Sequence, residues 1–265
     1  MSELAEEEDL ASRHRKHMLT ELHFSVRREL AETGQLTGEA NLTPFMCVPG
    51  TAHLRTSILL IWADMLGGLL SLVVLRPAVP VTLELDVHLY RPAPGAGRLT
   101  AVGRTVKAGR SVHVVESEFM DDSGAVFAFS TGSFMASPNT SLVAPSVGTS
   151  LRMAPAAPPL ARPLGERAGV SRLEPGVARM PMTEEGLNSN NTMHGGLIGM
   201  VAEEAVLSLA PAGSTLSSLG IRYLSPVRLG PAAGTAAGAG GLYRVELRDV
   251  GAASRLAAVA MARTF

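Results

Sequence analysis

The stretch TEEGLNSNNTMHGGLIGMVAEEA, Thr183 to Ala205, gathers residue types that can do chemistry. Asn188 offers an amide, His194 an imidazole, and Gly195-Gly196 a backbone with no side chain in the way; an apolar run follows and contains Glu203 and Glu204. Glycines at a helix start let a ligand approach the backbone, and the N–H groups of a first helical turn have no intrahelical acceptor. With the positive end of the helix dipole behind them they favour developing negative charge. The Gly195 amide, with Gly196 beside it, therefore suits an oxyanion donor. A carboxylate inside an apolar helix suits a general base, because burying an unpaired charge is costly without a partner or a purpose.

One helix cannot supply both groups. Gly195 and Glu203 are eight residues apart, about 12 Å at 1.5 Å per residue, too far to act on one carbonyl. The first half of the chain supplies the missing partner. SILLIWADMLGGLLSLVVL, Ser57 to Leu75, is a second apolar helix with Asp64 near its middle. Arg55 precedes Asp64 by nine positions and His194 precedes Glu203 by nine, an offset of 139 in both cases; downstream, Arg91-Pro92 matches Ser225-Pro226 at an offset of 134. The chain thus reads as an internal repeat.

Each half continues from its helix into runs with strand periodicity. Leu83, Leu85, Val87 and Leu89 alternate with polar residues; RLTAVGRTVKAG, SVHVVESEFMDD and AVFAFSTGSFMA follow, and the second half has AAGTAAGAGG, YRVELRDVG and SRLAAVAMARTF. Asp121-Asp122-Ser123-Gly124 and Gly251 to Ser254 are the expected hairpin turns. A sheet that covers a helix apolar on all sides must wrap around it. The expected class is α+β, a double hotdog: two tandem repeats, each a long central helix wrapped by an antiparallel sheet, packed as an intrachain pseudo-dimer. The expected boundaries are an N-terminal appendage over 1–20 with no assigned function, a first repeat over 21–136, a Pro/Ala/Ser-rich linker over 137–165 and a second repeat over 166–265.

The spacing of Asn188, His194-Gly195-Gly196 and Glu203 resembles the signature of hotdog thioesterases related to phenylacetyl-CoA thioesterase, closely over about 25 residues and, through the repeat, loosely over most of the chain. The resemblance implies hydrolysis of an acyl-CoA thioester. It also implies that the central helices lie antiparallel, so that the amide end of one meets the carboxylate of the other. Two composite sites follow. In the first, Asn188, His194 and Gly195 meet Asp64, and Thr82 stands where similar thioesterases carry a hydroxyl that helps place water. Asp64 is then the general base or, alternatively, a nucleophile forming a mixed anhydride; Asn188 positions water or thioester, Gly195 holds the carbonyl, and His194 shapes the loop and caps the helix. In the second, Glu203 meets Arg55-Thr56-Ser57, which replace His-Gly-Gly, with Pro49 at the Asn position and Leu216 or Ser217 opposite Thr82. Gly196, Arg55 and Glu203 are expected to contact substrate. The alternative is a non-catalytic acyl-CoA-binding or sensing hotdog protein.

Composition narrows the partners. With 23 basic and 24 acidic residues the formal charge is −1, so no global field recruits nucleic acid. The single cysteine, Cys47, forms no internal disulfide, and the charged N-terminus lacks a signal-peptide core, so a cytoplasmic setting is expected. His53 and His88 have no metal-ligand spacing, and no metal or redox cofactor is implied. The Ser57 to Leu75 helix has the length of a membrane span of about 20 residues; Asp64 within it argues for a core helix instead. The cations Arg55, Arg91, Arg104, Lys107 and Arg110 are candidates for CoA phosphates, against a default of a solvated edge strand. Long strands at both ends make a homo-oligomer the expected assembly.

Overall fold

The computed structural model describes residues 17–27, 34–144, 152–153, 157–188 and 190–265. The apolar run after Arg55 forms helix α1 (Thr56–Val74), in which Ile58, Leu59, Leu60, Ile61, Trp62, Leu66 and Leu70 are all buried. By length and hydropathy α1 alone among the described helices could cross a membrane. It has instead the all-round apolar surface of a core helix, wrapped by β2 (Gln35–Leu42), β3 (Pro80–Leu89), β4 (Gly97–Ala108), β5 (Val112–Met120) and β6 (Val126–Ala136). Burial alternates residue by residue along β2 and β5, the period-two signature of a sheet with one face on a core.

The second repeat follows the same plan. Helix α2 (Gly195–Leu209) lies under β9 (Val177–Met180), β10 (Leu216–Tyr223), β11 (Ala232–Ala239), β12 (Leu242–Asp249) and β13 (Arg255–Thr264). With the short β1 (Ser25–Arg27), β7 (Arg152–Met153) and β8 (Ser171–Glu174), the strands form one 13-stranded sheet in the order β7-β1-β2-β4-β5-β6-β3-β10-β13-β12-β11-β9-β8. The fold is a double hotdog.

The repeats join where β3 pairs antiparallel with β10, in the register Glu84↔Arg222, Asp86↔Gly220 and His88↔Ser218. Subtracting 84 from 218, 86 from 220 and 88 from 222 gives 134 each time, the offset found in the sequence. Asp86 and Gly220 are therefore equivalent residues facing each other across a local two-fold axis. Gly220 leaves room there for the Asp86 carboxylate: a Cβ would lie 2.0 Å from Asp86 Oδ1, which would have to move.

The two helices run antiparallel beneath this junction. The start of α2 approaches the middle of α1, and the start of α1 approaches Glu203 of α2. Gly196 and Gly199 permit the contact: a Cβ would lie 2.3 Å from Ile61 Cγ1 at the first and 2.5 Å from Leu60 Cδ2 at the second.

Two expectations are corrected here. Residues 17–20, assigned to an appendage, begin a 3-10 turn (Met18–Leu22) that buries Met18, Leu19 and Leu22. Just beyond it Phe24 stacks on Trp62 at 4.9 Å, and Glu21 pairs with Arg167 of the second repeat at 2.7 Å. The amphipathic spacing in this segment is too short to read as an element. Residues 1–16 of the expected appendage, with 145–151 and 154–156 of the expected linker, lie outside the described residues. The basic run on β4 is also no edge strand, since β4 pairs with β2 on one side and β5 on the other.

Candidate active site

Asp64 and Thr82 come from the first repeat, on α1 and β3. Thr82 donates its hydroxyl to Asp64 Oδ1 at 2.8 Å. The other carboxylate oxygen, Oδ2, lies 3.7 Å from His194 Nε2 of the second repeat. The pair is not sealed: the side chains are 12% exposed for Asp64 and 20% for His194.

The α2 start is built by its own loop. Asn188 Oδ1 accepts the Asn190 N–H at 2.9 Å, the Thr192 N–H at 3.2 Å and the Thr192 hydroxyl at 3.0 Å. Asn188 thus spends its carbonyl oxygen folding the loop, as Asx turns do. Its amide nitrogen has no hydrogen-bond partner among the described residues, which makes it the end of the side chain suited to a ligand. His194 caps α2, its Nδ1 accepting the Gly196 N–H at 3.0 Å. Gly196 is thereby corrected as a substrate donor, because its amide is already engaged. The Gly195 N–H has no acceptor among the described residues, and it points outward from a helix N-terminus.

The remaining neighbour escaped sequence reading. Tyr223, at the end of β10, donates its hydroxyl to the Gly195 carbonyl at 3.0 Å. Burial, and then the charge of Asp64, hold its pKa well above that of an ordinary tyrosine. Its repeat equivalent at the 134 offset is Leu89, so a polar tip present in one repeat and absent from the other was the available signal. His17 was missed for a different reason: it precedes the short 3-10 turn, and its ring meets the His194 ring edge-on at 5.4 Å. Burial pushes the His194 pKa below its usual value, an effect the Asp64 charge partly offsets.

The second composite site is closed. Glu203 is fully buried and accepts the Thr56 N–H at 2.9 Å, the Ser57 N–H at 3.4 Å and the Ser57 hydroxyl at 2.6 Å. Arg55, 1% exposed, binds Glu203 at 3.2 Å and Glu204 at 2.6 Å, and Arg172 completes the cluster on Glu204 at 2.7 Å. Burial opposes the charge on Arg55, but the two glutamates outweigh it and raise its pKa. The expectation that Arg55 and Glu203 contact substrate is corrected: Arg55 pairs with Glu203 and Glu204, Glu203 also takes the α1 amides, and both side chains are buried away from solvent. Glu204 serves the same cluster. Leu216, opposite Thr82 in the repeat, offers only its carbonyl, to the Thr56 hydroxyl.

Among the expected phosphate cations, Arg91 is paired with Asp121, and Arg104 with Glu116 and Glu118.

The Thioesterase superfamily model matches residues 55–128, the part of the first repeat that carries Asp64 and Thr82. The chain is a tandem double-hotdog protein whose first repeat matches the thioesterase superfamily over these residues. Its fold is similar to that of an acyl-ACP thioesterase from Bacteroides thetaiotaomicron, at 14% identity and a TM-score of 0.62, covering 88% of this chain and 98% of the other. It is also similar to the 12:0-ACP thioesterase from Umbellularia californica, at 10% identity and a TM-score of 0.61, covering 89% and 99%. Curated protein sequences give no match to the chain.

Proposed function

We propose that this protein hydrolyses acyl-CoA thioesters to a free acid and CoA at the composite site of Asp64, Thr82, Asn188, His194 and Gly195. One observation carries the reading: His194, the residue just before the uncommitted Gly195 amide at the start of α2, lies 3.7 Å from the partly exposed Asp64 carboxylate of α1. In this mechanism the thioester carbonyl oxygen accepts the Gly195 N–H, where developing negative charge is stabilised by a preorganised donor. Asp64 takes a proton from water as the water oxygen attacks the carbonyl carbon. The tetrahedral intermediate then collapses, breaking the C–S bond, and the CoA thiolate leaves. Thr82 holds one carboxylate oxygen so that the other faces the water. The thioesterase-superfamily match supports this reaction class.

Two of the similar folds are named for acyl-ACP, and both carriers present the same phosphopantetheine thioester, so the test compares carriers directly. Thiol release is measured with acyl-CoA and acyl-ACP of matched chain length, for the wild type and Asp64→Asn. Turnover of acyl-CoA that falls about 100-fold or more in the variant supports the proposal. Saturable acyl-CoA binding without Asp64-dependent release makes the protein a binder, and release confined to acyl-ACP moves the substrate. Sedimentation of the same samples tests the accompanying expectation of a homo-oligomer.

A further inference from the structure

We propose that Tyr223 is a positioning residue that sets the tautomer and aim of His194 by clamping the Gly195–Gly196 peptide. That single peptide unit is held at both ends. The Tyr223 hydroxyl donates to its carbonyl oxygen at 3.0 Å, and its N–H donates to His194 Nδ1 at 3.0 Å. A peptide unit is planar, so fixing the carbonyl fixes the direction of the N–H. A ring nitrogen that accepts an N–H holds a lone pair, which leaves the proton of neutral His194 on Nε2. Nε2 is the atom that faces Asp64, 3.7 Å from Oδ2.

The clamp is specific to this end of the molecule. Gly195 leaves room for it, since a Cβ there would lie 3.1 Å from the Tyr223 hydroxyl and 3.2 Å from Cζ. In the other repeat the equivalent positions are Leu89, Arg55 and Thr56, and the helix-start amides go to Glu203. A tyrosine is thus present at this strand position only in the repeat where a histidine caps the helix. Donation into the carbonyl also polarises the N–H of the same peptide, which strengthens its hold on Nδ1 and opposes protonation there. The groups facing His194 are Asp64 from α1, Tyr223 from β10 and His17 from the N-terminal turn. Of these, Tyr223 alone acts through the Gly195–Gly196 peptide.

The test substitutes Tyr223→Phe, which keeps the ring. The nitrogen chemical shifts of His194 are followed against pH in protein labelled with 15N-histidine, the signals being assigned by their loss in His194→Asn. The expected result is an acceptor Nδ1 and protonated Nε2 in the wild type, a shift toward averaged tautomers in Tyr223→Phe, and a higher titration midpoint. The kinetic arm rests on the thioesterase reading: kcat falls about tenfold, roughly 1.4 kcal/mol in the transition state, with KM unchanged. Replacing the three tyrosines by 3-fluorotyrosine, a stronger donor, must move the His194 midpoint the other way, and it serves if Tyr223→Phe does not fold. Unchanged His194 shifts and midpoint in both proteins overturn the proposal. If the wild type releases no thiol from any acyl thioester, the hydrolytic reading fails while the nitrogen shifts still decide the role of Tyr223.

Discussion

The Glu203 carboxylate accepts the Thr56 amide at 2.9 Å, so the acid of one repeat fills the anion-binding helix start of the other. This is the two-fold counterpart of the open Asp64 site. The longer Glu side chain reaches its partner amides directly, and Arg55 neutralises it within the core. The two sites share one architecture, and one of them is occupied by the protein's own side chains.

Removing Glu203 should therefore cost stability. Glu203→Ala leaves Arg55 with only Glu204 and strips the α1 amides of their acceptor. Breaking a buried ion pair in this way costs about 3–5 kcal/mol. Urea unfolding of Glu203→Ala and Glu203→Gln checks it, with Gln the milder of the two because it still accepts the Thr56 amide.

Thr82 contributes one hydrogen bond to Asp64, at 2.8 Å. Thr82→Val keeps the shape and leaves the carboxylate free to rotate, so thiol release should drop by about tenfold, the cost of roughly 1.4 kcal/mol in the transition state. Thr82→Ser should restore most of the rate. Equal rates for Val and Ser would remove Thr82 from the mechanism.

Gly196→Ala forces a methyl into Ile61, whose Cγ1 would be 2.3 Å away and whose Cα would be 3.1 Å away. Alanine is the better helix former by about 1 kcal/mol, but overpacking a close helix contact costs about 1–3 kcal/mol. A lower unfolding midpoint is expected, together with weakened catalysis as α1 and α2 separate. Gly68, whose added Cβ meets nothing within 4 Å, is the control at which the same change should not destabilise.

The partly buried His194 makes stability depend on pH. Its folded pKa lies below the unfolded value near 6.5, because burial disfavours the imidazolium. The unfolded chain then binds more protons in the window between the two values, so stability rises with pH there. The contribution is complete above about 6.5 and is lost as pH falls toward the folded pKa. His113, also held low by burial, acts in the same direction. His194→Asn keeps a cap for the Gly196 amide and should flatten the pH dependence of the unfolding midpoint without abolishing it, since His113 remains.

Local pattern was enough for much of the fold. Period-two alternation marked β3 to β6 and β11 to β13, the apolar runs marked both helices, and the 139 and 134 offsets exposed the repeat. The geometric limit on Gly195 and Glu203 also required a site shared between helices, and Asp64 lies beside His194. Short elements were harder to read. The turn that starts after His17, and strands such as β1 and β8, span too few residues to display a period.

The sequence by itself determined the two helix-and-sheet repeats, which follow from periodicity and spacing, local properties of the chain. The pairing of Asp64 with the Gly-rich start of the other helix was what the family resemblance implied. Only the tertiary structure decided that Glu203 closes its site with Arg55, that Gly196 spends its amide on His194, and that Tyr223 grips the Gly195 carbonyl. Each is a choice of hydrogen-bond partner between segments brought together by folding. Such choices depend on angstrom-scale distances across the helix–sheet contacts, which residue types at given spacings do not encode.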